Sequence, residues 1–102
     1  MRLKEFQHAA ICESFRELFD GNDHLWLFGS RVDDAKRGGD IDLYIETTET
    51  DVNIAYAKRL KLSSMIQTKI GEQKIDIVLN VLSRPQALPI YEIARKTGIL
   101  LV

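Results

Sequence analysis

The sequence has little cysteine, no long hydrophobic run and no excess of charge of one sign, and each shortage excludes a class of protein. Cys12 is the single cysteine in 102 residues, so an internal disulfide is excluded. No apolar stretch approaches the ~18 residues that cross a bilayer. Glu5, His8 and Glu13 interrupt the apolar region that a signal peptide requires. We therefore expect a cytoplasmic protein.

The net charge of −1 offers no general attraction for polyanions, so we do not expect nucleic acid as a ligand. A content of 45% hydrophobic and 28% charged residues is that of a globular protein and excludes intrinsic disorder. We expect one domain over residues 1–102. The charge is unevenly distributed: residues 1–51 carry 6 Lys/Arg against 12 Asp/Glu, and residues 52–102 carry 8 against 3. A carboxylate-rich half suits metal binding.

Hydrophobic periodicity predicts alternating helices and strands, and hence an α/β (α+β) domain with a small mixed sheet of three or four strands flanked by helices. Thr50 or Asp51 is placed to cap the second helix, which ends at Gly71. Gly98 ends the third helix and leaves an apolar tail over residues 99–102. The predicted helices cover residues 3–19, 51–70 and 90–97, and the predicted strands cover residues 24–28, 40–45 and 74–82.

Carboxylates on the predicted strands indicate a metal site. Asp40 and Asp42 are two residues apart on a strand, so their side chains share one face about 6 to 7 Å apart. Hard oxygen ligands of this kind suit Mg²⁺ or Mn²⁺ better than zinc. A β-α-β crossover can bring Asp76 of the third strand beside them as a third carboxylate. Asp76 is the sole acidic residue in an apolar strand, which favours a paired or metal-bound group; the alternative is a charge that guards an edge strand.

A glycine and a serine directly after the first strand indicate a phosphate-binding turn. Gly29 has no Cβ, so a phosphate can approach the backbone, and Ser30 offers backbone and hydroxyl donors. Arg31 follows as either a phosphate ligand or a surface cation. Metal ligands on one strand and a phosphate-binding turn on its neighbour, with Lys36 and Arg37 between them, are the parts of a nucleoside triphosphate site.

The order and spacing of these residues resemble a known family. Leu27-Phe28-Gly29-Ser30, then nine residues, then Asp40-Ile41-Asp42-Leu43 is similar to the signature of the DNA polymerase β-type nucleotidyltransferases, and most similar to the minimal nucleotidyltransferases encoded beside HEPN-domain proteins as antitoxins. The resemblance implies a polymerase β palm-like fold. It implies that Gly29 and Ser30 hold the triphosphate, that Asp40 and Asp42 bind the metals, and that Asp76 helps to activate the attacking hydroxyl.

By this resemblance, we expect a Mg²⁺-dependent transfer of a nucleoside monophosphate to a hydroxyl of a HEPN-domain partner. AMP from ATP is the group that we expect to be transferred. The alternative is a non-catalytic antitoxin that binds nucleotide and blocks its partner. The family often continues Gly-Ser-Arg-Ala-Arg-Gly, whereas here Val32, Asp33 and Asp34 follow Arg31. Acids that point toward a triphosphate weaken its binding. We expect the apolar tail to be an exposed patch unless it docks internally or on a partner; the oligomeric state stays open.

Overall fold

The computed structural model describes residues 1–33 and 39–102. It contains the three predicted helices and four strands, in an α+β arrangement consistent with a small nucleotidyltransferase-like fold. None of the helices in the described ranges has both the length and the hydropathy that spanning a bilayer requires. In chain order the elements are α1 (Glu5–Leu18), β1 (His24–Phe28), a 3-10 turn (Gly29–Val32), β2 (Ile41–Thr47), α2 (Val52–Ile70), β3 (Ile75–Val81), α3 (Pro89–Thr97) and β4 (Ile99–Leu100).

The helices begin and end at residues whose chemistry favours those positions. The Asp51 carboxylate caps α2 by accepting hydrogen bonds from the backbone N–H groups of Asn53 and Ile54 at 2.9 and 3.3 Å. Pro89 occupies the first turn of α3, where its missing N–H has no helical partner to lose. Asp51, rather than Thr50, is therefore the cap of the second helix.

The four strands form one mixed sheet in the order β3-β2-β1-β4, which confirms the predicted fold class. β1 pairs antiparallel with β2 on one side and with β4 on the other. β2 and β3 are parallel and are joined by α2, as expected for a β-α-β crossover. This arrangement puts the beginnings of β2 and β3 side by side, next to the end of β1.

Helices cover both faces of the sheet. On one face, α1 and α2 pack on the inward side chains of β1, β2 and β3. On the other face, Ala94 of α3 packs against Trp26, Phe28 and Tyr44. Asp42 and Tyr44 share this second face, as their two-residue spacing predicts, and α3 buries Tyr44 completely. The core of the first face includes Ile11, Phe15, Leu25, Leu27, Leu43, Ile45, Leu62 and Ile66.

The apolar tail is not a contiguous exposed patch, although Leu100 is 55% exposed. Ile99 and Leu100 form β4, which pairs with Leu27 and Trp26 of β1. The backbone N–H of Leu101 donates a 2.8 Å hydrogen bond to the Leu25 carbonyl, and the Leu101 and Val102 side chains pack on the core. The tail docks internally, so it offers no argument for a partner surface.

Candidate functional site

Parallel pairing of β2 with β3 brings two of the predicted carboxylates together. Asp42 and Asp76 are register partners in adjacent strands, and Phe28 is the partner of Asp42 on the other side. Adjacent strands lie about 4.8 Å apart, and paired residues point to the same face. The Asp42 and Asp76 side chains therefore emerge side by side on the face that carries α3, directly beside the Gly29 turn.

The third carboxylate, Asp40, lies just before β2 rather than within it. Its Oδ2 is 3.4 Å from Nζ of Lys74, and 41% of the Asp40 side chain is exposed. Lys74 likewise directly precedes β3, so the ion pair joins the residues that come just before the two parallel strands. A pair this exposed contributes little to stability because water screens it, and a cation at the carboxylates can displace Lys74.

The three carboxylates act on one another electrostatically. Burial raises the pKa of Asp42, and the charges of Asp76 and Asp40 raise it further, whereas Lys74 lowers it. A second negative charge beside a partly buried carboxylate is unfavourable, and a divalent cation relieves that repulsion. Within the described ranges, no three His, Cys, Asp or Glu side chains lie together so that they could hold a metal ion. The donor set is all-oxygen and mutually repulsive, which fits Mg²⁺ or Mn²⁺.

Asp76 differs from its expected setting. The strand β3 is an edge of the sheet, and the Asp76 side chain is exposed. This setting fits the alternative of a charge on an edge strand: water solvates Asp76, and neither a pairing partner nor a metal is needed to hold a charge there. Its position beside Asp42 still suits a third ligand or a base, and its exposure makes it accessible from outside.

Two glycines allow the turn to pack tightly against the carboxylates. Gly29 has φ +74°, and a Cβ there would overlap Oδ2 of Asp42. Gly39 has φ +91°, and a Cβ there would overlap Oγ of Ser30. Both backbone conformations are ones that residues with side chains rarely adopt. Gly29 therefore permits the close approach of Asp42 to the turn, whereas the predicted approach of a phosphate to Gly29 stays a prediction.

Arg31 holds the turn in place by binding backbone carbonyls. Its Nη1 donates to the Arg2 carbonyl at 2.9 Å and its Nη2 to the Gly39 carbonyl at 3.3 Å. Its Nε is buried and has no hydrogen-bond partner among the described residues. In this structure two of its donors thus serve the protein backbone, and the predicted contact of Arg31 with phosphate stays a prediction.

Sequence reasoning missed the contribution of Arg2. Its backbone N–H donates to the Arg31 carbonyl at 2.7 Å, its Nη2 to the Ser30 carbonyl at 3.1 Å and its Nε to the Asp33 carbonyl at 2.9 Å. One side chain thus ties together both ends of the 3-10 turn. No sequence pattern singles out an arginine 28 residues before Ser30, because the contact depends on the path of the chain before α1.

A hollow of about 530 Å³ lies beside the turn and under α3. Gly29 and Ser30 line it together with Asp33, Ile93 and Thr97. The acid Asp33 therefore lies where the sequence analysis expects an acid to weaken triphosphate binding. Asp34, Lys36 and Arg37, which the sequence analysis also places near the site, lie outside the described residues.

Comparison of the chain with protein-family models and with curated proteins finds no match. The case for a function therefore depends on the site geometry and on the motif resemblance.

Proposed function

We propose that this protein is a minimal nucleotidyltransferase of the DNA polymerase β type, which transfers AMP from ATP to a hydroxyl of a HEPN-domain partner protein. The observation that carries the proposal is the parallel register of Asp42 and Asp76 beside the tight Gly29 turn. Spacing alone predicts Asp40 and Asp42 as a pair. The register adds Asp76 from a strand more than 30 residues later and aligns it with Asp42.

Each residue has a chemical role in this reaction. Asp40 and Asp42 hold the divalent cation, which neutralises the triphosphate when it is bound. The Gly29–Ser30 turn holds the β- and γ-phosphates with backbone and hydroxyl donors. Asp76 accepts the proton of the acceptor hydroxyl as its oxygen attacks the α-phosphorus. The bond from the α-phosphorus to the bridging oxygen breaks, and pyrophosphate leaves with that electron pair.

The surroundings of Asp76 support an acceptor that is carried by another molecule. Asp76 lies on β3, an edge strand of the sheet, and its side chain is exposed. The hollow of about 250 Å³ that it borders is lined by Arg59, Leu60 and Ser63 of α2, which packs on the face opposite to Asp42, so that hollow does not hold the acceptor. An exposed carboxylate at a sheet edge is accessible to a hydroxyl that projects from the surface of another protein.

The second candidate is a nucleotide-binding antitoxin without catalysis. The engagement of Arg31 by the backbone and the acid Asp33 near the turn favour this candidate. Two donors of Arg31 are engaged by backbone carbonyls, and Asp33 lines the hollow next to Ser30. Within residues 1–33 and 39–102, the engaged donors of Arg31 leave less positive charge to stabilise the charge that develops on a leaving pyrophosphate. On this hypothesis the domain inhibits its partner by contact alone.

Intact-mass spectrometry distinguishes the two functions. The HEPN-domain partner is incubated with this protein, ATP and Mg²⁺, and the transferase predicts a mass increase of one or more AMP units on the partner. Asp42→Asn is expected to abolish the increase. Glu13→Gln is the matched control, because Glu13 is an exposed acid on α1, on the other side of the sheet. An unmodified partner that is still inhibited by Asp42→Asn would support the antitoxin instead.

A further inference from the structure

The helix α3 divides the second sheet face into two compartments. Ile93 and Thr97 line the hollow beside the Gly29 turn. On the opposite side of the helix, Glu92, Arg95 and Lys96 line a separate and larger cavity of about 740 Å³. This volume is in the range of small-molecule sites, roughly 300 to 1,000 Å³. The lining of this cavity includes none of Asp40, Asp42 and Asp76, so the proposed transfer reaction does not use it.

The floor of this cavity is a hydrogen-bonded chain of polar side chains at the carboxyl ends of the two parallel strands. Nδ2 of Asn80 donates to the Tyr44 hydroxyl at 3.0 Å, and that hydroxyl donates to Oε2 of Glu46 at 2.8 Å. Nε of Arg95 is 3.4 Å from the same Oε2. Carboxyl ends of parallel strands are where open α/β sheets bind ligands.

This chain fixes which atoms the floor presents to a ligand. Because the Tyr44 hydroxyl donates to Glu46, it must accept from Asn80, and the amide orientation follows. Oδ1 of Asn80 and Oε1 of Glu46 are left as acceptors without a hydrogen-bond partner in the described part of the chain. A ligand that reaches the floor is therefore recognised by its N–H or O–H donors.

The charges of the lining cancel, so the lining does not favour a phosphate or a metal ion. Glu46 pairs with Arg95, and Glu92 pairs with Lys96 at 2.6 Å. The remaining lining is apolar or amide in character. Tyr91, Leu88 and Pro89 form a wall, and Gln86 lies at the rim. Such a lining fits an uncharged planar group with hydrogen-bonding edges.

We propose that this cavity binds a nucleobase that carries an exocyclic amino group, such as adenine. The amino group donates to Oε1 of Glu46 and Oδ1 of Asn80, and the ring lies against the Tyr91 wall. Gln86 contacts the ring edge. This site is separate from the triphosphate turn and does not depend on the proposed transferase activity.

Amide NMR shifts of the full chain, titrated with adenosine, test the proposal directly. Adenosine has no phosphate, so binding is expected without Mg²⁺. Saturable shifts should appear at Glu46, Asn80 and Arg95, and those at Gly29 and Ser30 should stay unchanged. Inosine lacks the amino group and is expected to bind at least about tenfold more weakly, because the hydrogen bonds to both Glu46 and Asn80 are lost. Equal binding of the two nucleosides, or shifts confined to Gly29 and Ser30, would overturn the proposal.

Two variants locate the site, and a third separates it from the transferase. Gln86→Ala, at an exposed residue, and Asn80→Leu should each weaken adenosine about fivefold or more. Thermal unfolding checks that Asn80→Leu still folds. Asp42→Asn should leave adenosine binding unchanged while it removes metal-dependent ATP binding. If neither cavity variant alters the affinity, the base does not bind here.

A comparison of AMP with a short oligoadenylate identifies the source of the base. Similar affinities indicate free nucleotide, and tighter binding of the oligomer indicates a base presented by RNA. Both results support a base site. Absence of saturable binding by adenosine, AMP and oligoadenylate at millimolar concentration would overturn it.

Discussion

At the scale of single residues, Asp42 lies in a conflict between stability and function. Burial and the charges of Asp76 and Asp40 raise its pKa, so the ionised form is penalised in the folded protein. Asp42→Asn keeps the side-chain volume and removes the charge. Without ligand, the variant should be more stable by no more than about 1 kcal/mol, because water screens a partly exposed group. Thermal unfolding at neutral pH is the measurement.

The stability gain of Asp42→Asn should change with pH in a defined direction. A carboxyl whose folded pKa is raised binds its proton more tightly when folded, so the penalty is complete above that pKa and disappears below the unfolded value. The advantage of Asp42→Asn should therefore shrink as the pH falls through the raised pKa. Glu13→Gln should show no such trend. A variant less stable than the wild type at neutral pH would contradict the electrostatic account.

Arg2 is a positioning residue, because it contacts the turn and not the expected nucleotide. Loss of its bonds to the Ser30 and Asp33 carbonyls should loosen the turn. We expect Arg2→Ala to weaken metal-dependent ATP binding about tenfold, equivalent to one or two hydrogen bonds. Arg2→Lys should not restore it, since one ammonium cannot match the fork of a guanidinium. Isothermal calorimetry measures both variants; an unchanged ATP affinity would show that the turn holds its shape without Arg2.

Asp23 stabilises the end of the sheet that is opposite the site. Burial opposes ionisation, but hydrogen bonds from Thr48, Asp20 and Thr47 outweigh it and hold the pKa of Asp23 below its ordinary value. The shortest is the 2.7 Å bond from the Thr48 N–H. Asp23→Asn should cost about 2 kcal/mol at neutral pH, because its amide cannot accept all of these bonds.

The acid unfolding of this variant has a predicted direction. A depressed carboxyl pKa contributes stability above the unfolded value, near 3.8, and loses it as the pH falls through the folded pKa. Wild type should therefore lose more stability than Asp23→Asn between neutral and acid pH. Circular dichroism at a series of pH values measures this, and parallel stability curves would contradict it.

At the scale of elements, removal of β4 measures how much the tail contributes to the free energy of unfolding. β4 covers the free edge of β1, and the Leu101 and Val102 side chains pack on the core. Removal of residues 99–102 exposes that edge and part of the core. We expect a loss of about 2 to 4 kcal/mol, in the range of one large buried side chain lost, measured by urea unfolding. A truncated chain as stable as the full one would show that β4 does not support the fold.

The sequence predicts most elements because their patterns are local. Alternation predicts β2, and the run from His24 to Phe28 predicts a buried strand. The tail is the exception, since four apolar residues after Gly98 have no period of their own. Only the free edge of β1, a feature of the tertiary structure, makes them a strand. The setting of Asp76 is left open between two alternatives for the same reason, because strand order decides which strands are edges.

At the scale of the whole molecule, the sequence predicts the residue types at the candidate site, and the pairing of the strands brings these residues together. Asp42 and Gly29 come into contact because β1 and β2 are antiparallel neighbours, and Asp76 joins them through the parallel crossover. Arg2 stays hidden from sequence reasoning, since its partners are backbone carbonyls that any residue provides. A short motif therefore predicts chemistry better than it predicts the contacts that support it.

The most direct test of the central claim is calorimetric titration of the protein with ATP, with and without Mg²⁺. The claim is that Asp40, Asp42 and Asp76 form a cation-dependent triphosphate site at the Gly29–Ser30 turn. The account predicts saturable ATP binding in excess of the metal-free level when Mg²⁺ is present, and loss of that increment in Asp42→Asn but not in Glu13→Gln. ATP binding that is unaffected by Mg²⁺, or an increment that survives Asp42→Asn, would contradict it.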